Sequence, residues 1–540
     1  MGSWLSTWLS GTKSVYIGNA SSVRDYRVQL RGSRSVILFG LYLIILIGIA
    51  MFVYSQTADR TGFTLVQAQF QLRQFTSTIM ILLGFAVAIV APGLTATSVV
   101  TERQRQSLDL IFSAPVSPKY YLVGKVMSSF RYTWMLLVLA LPITAASVVL
   151  GGASWSDVLI AYVLMSLFGL VLTSFALLMS TLASKPVSAI IWSYVGAFVY
   201  SGFTFLLSTS YTLGRMFGAS RDNEASWWVS MSPFSVLDTS HTYTQVGSLH
   251  VPNWIFVLAF TLLASKILLL GAGSVLGTSG GKEIKGLRIY ALIYIATFAL
   301  LPSWNARPAF TPVSSASTTA VTAPIAPVEE SLRFAQEQGQ YLALCTAPLL
   351  IFVPFIACFG FDREKRYWPN GVFKLKNIVD GTPAGGLPFL LAIIGTLVVA
   401  WNVGCWFGAK SALRAPFWEF AFYVTAFWTF FWALGRLISS FFAGLKTSRM
   451  MVFALFVLLV VIPYPFLVAL VGTFTDDANP GPWNLYVMSP FMSTSDLSRA
   501  DIALAYGLVL AAMAAVMAVI AEKRIRSKMV ALRNYDVQPN

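Results

Sequence analysis

Between two long apolar runs, Thr101 to Lys125 reads TERQRQSLDLIFSAPVSPKYYLVGK, an island of charge and turn residues in an otherwise hydrophobic chain. Glu102, Arg103, Arg105 and Asp109 put both signs of charge on a short stretch, while Leu108, Leu110, Ile111 and Phe112 form an apolar edge. Such a segment suits the plane of a membrane surface, where it offers a charged, rigid handle to something outside the lipid. Thr101 followed by Gln104 predicts a capping box, and Pro115 predicts the end of the short helix. Ser117 and Pro118 then supply an N-cap and a first helical residue for the next helix, which runs through Lys125. The bland alternative is an ordinary polar turn between two spans.

Other chemistry is sparse, and no catalytic residue is expected. The chain contains no Gly-x-x-x-x-Gly-Lys-Ser/Thr phosphate loop. Its nearest approach is Gly280-Gly281-Lys282-Glu283, with Leu276 at the first glycine position and Glu283 where Ser or Thr is required. His241 and His250, with Asp222, Glu224 and Asp238 nearby, follow no regular ligand spacing, so no metal site is expected. Cys345, Cys358 and Cys405 all fall in apolar runs, which argues against a disulfide framework or zinc site. Lys266 stands apart, because it lies about 15 Å of helix inside an apolar run, where an exposed ammonium is costly. It faces a cavity and attracts an anionic substrate or lipid headgroup, snorkels to the interface, or pairs with another helix. Trp418, Phe420, Phe422, Phe427, Trp428, Phe430, Phe431 and Trp432 make a later run aromatic nearly all round, which suits lipid contact or a greasy cavity equally.

The elements that position these residues follow from composition. With 56% hydrophobic and 11% charged residues, the chain is far from a soluble domain, which carries about 25% charged residues. It reads as an all-α polytopic membrane protein. A span needs about 20 apolar residues. That template predicts about twelve transmembrane helices, near 36–54, 76–96, 126–150, 158–179, 188–207, 254–276, 287–303, 341–360, 387–407, 417–435, 451–472 and 500–520. The net charge of +15 sits mostly in segments flanking the runs, so it points to orientation and anionic lipid contact rather than nucleic acid. With both termini cytoplasmic, most Lys and Arg fall on the inner side.

Residues 1–35 form a basic cytoplasmic segment in which Arg24, Arg27, Arg31 and Arg34 recur at helical steps, with Val23, Tyr26 and Leu30 on another face. This predicts an amphipathic helix at the interface with arginines toward lipid phosphates, the alternative being a solvated basic tail. WWVSMSPFSVLDTS around Met231 to Phe234 is echoed by NLYVMSPFMSTSDL around Met488 to Phe491, each preceding the last span of its half. A tandem duplication follows, with one six-span half over 36–280 and a second over 281–540, related as parallel repeats. Residues 303–340 read as an external Ser, Thr, Ala and Pro loop.

Glu102-Arg103, Ser107-Leu108-Asp109-Leu110-Ile111, Ala114-Pro115-Val116-Ser117 and Gly124-Lys125 resemble the coupling loop of type-2 exporter permeases of ATP-binding cassette transporters. That family also places an amphipathic elbow helix before its first span and this loop between its second and third. Gln106 and Ser107 stand where the family has Gly-Thr, and the resemblance covers roughly residues 20 to 276. The corresponding loop of the second half, Phe361 to Gly386, keeps a charge cluster, Asp362, Arg363, Glu364 and Arg366, and a terminal Thr-Pro. The resemblance implies a permease whose two halves form one substrate path in the plasma membrane, the inner membrane of a bacterium. Two separate cytoplasmic ATPase subunits, which carry the ATP and Mg, would dock at Glu102 to Pro115 and at Asp362 to Pro383, with no cofactor on this chain. Membrane lipids are expected partners, the substrate is open, and export is implied.

Two rival classes stay open. A gradient-driven secondary transporter shares the plan of twelve spans in two halves but needs membrane-embedded acids, and no Asp or Glu falls centrally in the predicted spans. A non-transporting assembly scaffold or lipid-linked transferase would want a polar constellation outside the spans.

Overall fold

A computed structural model describes residues 20–31, 33–58, 65–113, 118–216, 234, 242–246, 249–276, 282–304, 386–409, 415–441, 448–449, 451–452 and 500–536, with single positions 338, 342, 346, 349, 353, 357 and 378. The chain divides into two compact units, Met1–Tyr290 and Ala291–Asn540. In the first lie α1 (Ala20–Leu30), α2 (Ser33–Ala58), α3 (Leu65–Thr95), α4 (Ser98–Gln104), α5 (Ser107–Ser113), α6 (Pro118–Val149), α7 (Trp155–Leu182) and α8 (Pro186–Met216). They are followed by the strands β1 (Tyr243–Val246) and β2 (Leu249–Pro252) and by α9 (Asn253–Leu276). Helix α10 (Lys282–Trp304) crosses the unit boundary, and α11 (Gly386–Ala409), α12 (Ala415–Phe441) and α13 (Ala500–Asp536) belong to the second unit.

Among the described residues, seven helical segments are long and apolar enough to cross a membrane: Leu72–Gln104, Lys119–Val149, Trp155–Leu182, Asn253–Leu276, Gly386–Phe407, Phe417–Phe441 and Leu504–Ile525. A shorter apolar stretch, Phe39–Phe52, lies in α2. The chain is therefore an all-α polytopic membrane protein, with β1 and β2 as an antiparallel hairpin pairing Tyr243 with Pro252. The predicted fifth and seventh spans are helical, within α8 and α10, but neither is among the seven. The eighth and eleventh, the loop at 303–340 and the second MSPF lie mostly or wholly outside the described residues.

Helix α7 is the axis of the first unit. It starts at a full capping box, in which Ser154 Oγ accepts from Asp157 N at 3.3 Å and Asp157 Oδ2 accepts from Ser154 N at 3.1 Å. It packs against α3, α6, α8 and α9. Small residues allow this: Gly169 is buried where an added Cβ would lie 3.2 Å from both Thr133 Cγ2 and Val87 Cγ1. Between spans, close backbone approach replaces the hydrophobic effect as the packing force. Buried hydroxyls cost little because they turn back on their own helix, as Ser174 Oγ does to Leu170 O at 2.7 Å. From the first MSPF, Phe234 is buried and meets Phe85 of α3, Phe168 of α7 and Phe205 of α8 at centroid distances of 4.8, 6.4 and 5.5 Å.

The second unit packs differently. Phe420, Phe427, Trp428, Phe431 and Trp432 of α12 are all buried, while Trp418 and Phe422 are exposed. Its aromatic helix is thus chiefly core, packed along α13. Gly507 of α13 permits the approach, with an added Cβ 3.3 Å from the Tyr423 Cα. Near the end of α12 the buried Arg436 guanidinium lies 3.8 Å from Glu522, and Arg524 stacks over Phe441 at 3.8 Å.

Between α6 and α7, Gly151 takes φ +87°. At Gly152 an added Cβ would meet Leu72 O at 2.4 Å and Thr76 Oγ1 at 2.5 Å. Backbone cannot yield as a side chain does, so Gly152→Ala is expected to cost about 1–3 kcal/mol, lowering the thermal midpoint of the detergent-purified protein. Gly40→Ala, with nothing within 4 Å of its added Cβ, is the control that leaves the midpoint unchanged or raises it.

Candidate functional site

The segment after α3 folds as two short helices rather than one. Thr101 does not open a helix: it lies inside α4, where its Oγ1 donates to Thr97 O at 2.7 Å, so the predicted capping box with Gln104 does not form. The N-cap position belongs to Thr97, whose side chain makes no cap bond. Instead Ser180 of α7 accepts from Val99 N and Val100 N at 3.1 and 3.2 Å, satisfying two of the amides that a helix start leaves open. The chain then breaks at Gln106, whose φ of 57° is left-handed, and restarts as α5. Helix α5 ends at Ser113 and α6 begins at Pro118, as the Pro pair predicts, with Pro115 itself outside the described residues.

Both ends of this segment are tied into the protein by charge. Arg103 donates to Thr181 O at 2.9 Å and to Ala183 O at 3.3 Å. A guanidinium there complements the negative C-terminal end of α7. Glu102 turns inward: Oε2 accepts from Tyr121 OH at 2.5 Å and Oε1 from Lys125 Nζ at 2.5 Å. Lys125 is buried, and its ammonium also lies 2.7 Å from Asp25 Oδ2 of α1, an ion pair that adds to the hydrogen bond on Glu102. Arg24 in turn donates to Asp25 Oδ1. One buried ammonium therefore joins α1, α4 and α6. Ser107 Oγ closes the break by donating to Glu102 O at 3.1 Å.

Two residues of the apolar edge, Leu108 and Ile111, face inward. Leu108 is buried with Val99, Tyr121, Leu122, Val126, Leu170, Leu177 and Ala272, and Ile111 packs against that cluster. Asp109 and Leu110 follow within α5. Among its described side chains, Gln104, Arg105 and Gln106 at the turn are exposed, as are Ser113 and Lys119. The geometry is that of a rigid lever, anchored by Glu102, Arg103 and Leu108 and exposing a short basic, amide-rich tip.

Residues 56–276 match the family described as ABC-2 family transporter protein. The match covers less than half of the chain, and it contains the whole segment together with α3 and α6 through α9. It supports an ABC transporter permease. No curated protein matches the chain.

Outside the matched region, Arg24 and Arg27 of α1 and Arg31 just after it are exposed, and Arg34 lies in the first turn of α2. The side of α1 turned to α6 is polar: Ser22 is buried, Asp25 reaches Lys125, and Tyr26 OH donates to Met135 Sδ at 3.6 Å. Asp25 was not legible as a partner, since it lies 100 positions from Lys125 in sequence. Lys266 of α9 is exposed and donates to Tyr290 OH of α10 at 2.7 Å. His250 is exposed on β2, and among the described residues no cluster of His, Cys, Asp or Glu has metal-holding geometry. Asp362, Arg363, Glu364, Arg366 and His241 lie outside the described residues.

Breaking a buried ion pair from one side costs about 3–5 kcal/mol. Lys125→Met, which leaves the Asp25 and Glu102 carboxylates facing each other, is expected to lower the thermal midpoint by that scale of destabilisation. Adding Glu102→Gln to it recovers about 1–3 kcal/mol, and additive losses in this cycle would show that the two side chains do not act as a pair.

Proposed function

We propose that this chain is the membrane-spanning permease of an ATP-binding cassette exporter, with its ATPases on separate cytoplasmic subunits. The observation that carries the reading is the ABC-2 match over residues 56–276, which encloses the anchored segment between α3 and α6. A motor that closes on ATP needs a handle that moves as a body with the spans, and the Glu102, Arg103 and Leu108 anchors supply that stiffness. The docking surface is the exposed Gln104-Arg105-Gln106 tip, followed along the chain by Asp109, Leu110 and Pro115. Asp362, Arg363, Glu364 and Arg366 are its counterpart in the second half. The halves, 36–280 and 281–540, act as two permease subunits joined in one chain, with the elbow of residues 1–35 at the inner leaflet, both termini cytoplasmic, and about twelve spans in a plasma or bacterial inner membrane. ATP and Mg belong to the partner subunits.

The test is purification from native membrane in mild detergent, with mass spectrometry of copurifying subunits and an ATPase assay. A stoichiometric cassette ATPase with ATP turnover is expected. Arg105→Glu should reduce its recovery about tenfold, the effect of removing one well-placed interface residue, with the thermal midpoint unchanged. Reproducible absence of any ATPase removes the reading. Leu108→Asp is unsuited to this purpose, because that side chain is core. Native mass measurement of the intact complex is expected to give one copy of this chain with two ATPase subunits; two copies of the chain would refute the single-chain pseudo-dimer.

A further inference from the structure

The α9 and α10 pair carries a second polar feature that the lever does not use. Lys266 lies on an exposed stripe of α9 formed by Ile255, Ala259, Leu262 and Lys266, at helical steps of four, three and four, so one ammonium interrupts an otherwise apolar face. Its Nζ donates to Tyr290 OH at 2.7 Å and lies 4.1 Å from the centre of the Tyr290 ring. Among the described residues no carboxylate pairs with it. Beside this contact the two helices meet at glycines: an added Cβ on Gly271 would lie 3.6 Å from Leu287 Cδ1, and one on Gly286 3.8 Å from Leu270. Lys285, near the start of α10, is also exposed.

A cation within a membrane span wants an anion, and a phenol neutralises nothing. The Lys266 ammonium keeps two further hydrogens after bonding Tyr290, and the phenol keeps its own, so the pair presents convergent donors to one anionic oxygen cluster. The apolar stripe continuing from Lys266 toward Ile255 suits hydrocarbon chains. We propose that Lys266 and Tyr290 form an intramembrane binding site for the phosphate-bearing headgroup of an anionic amphiphile, whose chains lie along Leu262, Ala259 and Ile255. Lys285 lies between the start of α10 and Tyr290 and adds, on that helix, a second exposed ammonium. That the occupant is cargo in transit rests on the permease reading; that it binds does not.

The experiment is native mass spectrometry of the full-length protein in detergent, titrated with phosphatidylglycerol and with phosphatidylcholine of matched chains. The wild type is expected to take its first lipid with about tenfold preference for phosphatidylglycerol, the scale of one charge-assisted contact. Lys266→Gln abolishes that preference, Tyr290→Phe weakens it, and Lys266→Arg keeps it, which separates loss of the site from loss of the fold. Equal preference in wild type and Lys266→Gln overturns the proposal, as does displacement of the lipid by inorganic phosphate alone, which would make the site one for a free anion. ATPase copurification with Lys266→Gln stays at the wild-type level, so a missing ATPase counts against the permease reading and leaves this result standing.

Discussion

The buried ammonium of Lys125 ties together three segments that the chain keeps far apart. Asp25 comes from α1, Glu102 from α4, and Tyr121 from α6, one turn before Lys125 itself. An ammonium withdrawn from water is tolerable only while its anions stay in place, and each carboxylate is tolerable only while the ammonium does. The cluster is therefore held or lost as a unit, and α1, α4 and α6 are positioned together. Arg103 and Ser180 extend the same logic to α7, one by supplying charge to a helix C-terminus and the other by supplying an acceptor to a helix N-terminus. The segment that faces outward is thus rigid because of what its inward side chains hold.

The two units reach a packed interior by different means. The first relies on glycine, serine and threonine along α7, whose hydroxyls satisfy themselves on backbone carbonyls such as Leu170 O. The second relies on large rings, with Tyr423, Phe427 and Trp428 almost wholly buried in α12. Small residues bring backbones close and gain dispersion from many short contacts, while rings fill a wider gap with fewer residues. Arg436 and Glu522 place a charge pair between α12 and α13, within the second unit itself.

Much of this was legible in the residues. Hydropathy marks the spans because an apolar run of span length has few other destinations. The start of α6 follows from Pro118, whereas Leu108 and Ile111, read in the sequence as coupling contacts, pack into the core. The break at Gln106 does not follow, since nothing in SLDLIFS or TERQRQ demands a left-handed residue between them. Nor does the capping of α4, where a serine 81 positions away replaces the local cap that Thr101 and Gln104 predict.

By itself the sequence determined that this is a polytopic helical membrane protein with a charged segment between two apolar runs, because composition and 3.6-residue periodicity are local properties that lipid reads directly. Only the tertiary structure decided what the charges do. Glu102 is held inward by Lys125 and Tyr121, and Lys266 donates to Tyr290. It also decided that the aromatic run of α12 is mostly core, which a helix with rings on every side leaves open. The physical reason is common to all three: a charge or ring is given its role by which residue, tens of positions away, packing brings within a few ångströms of it.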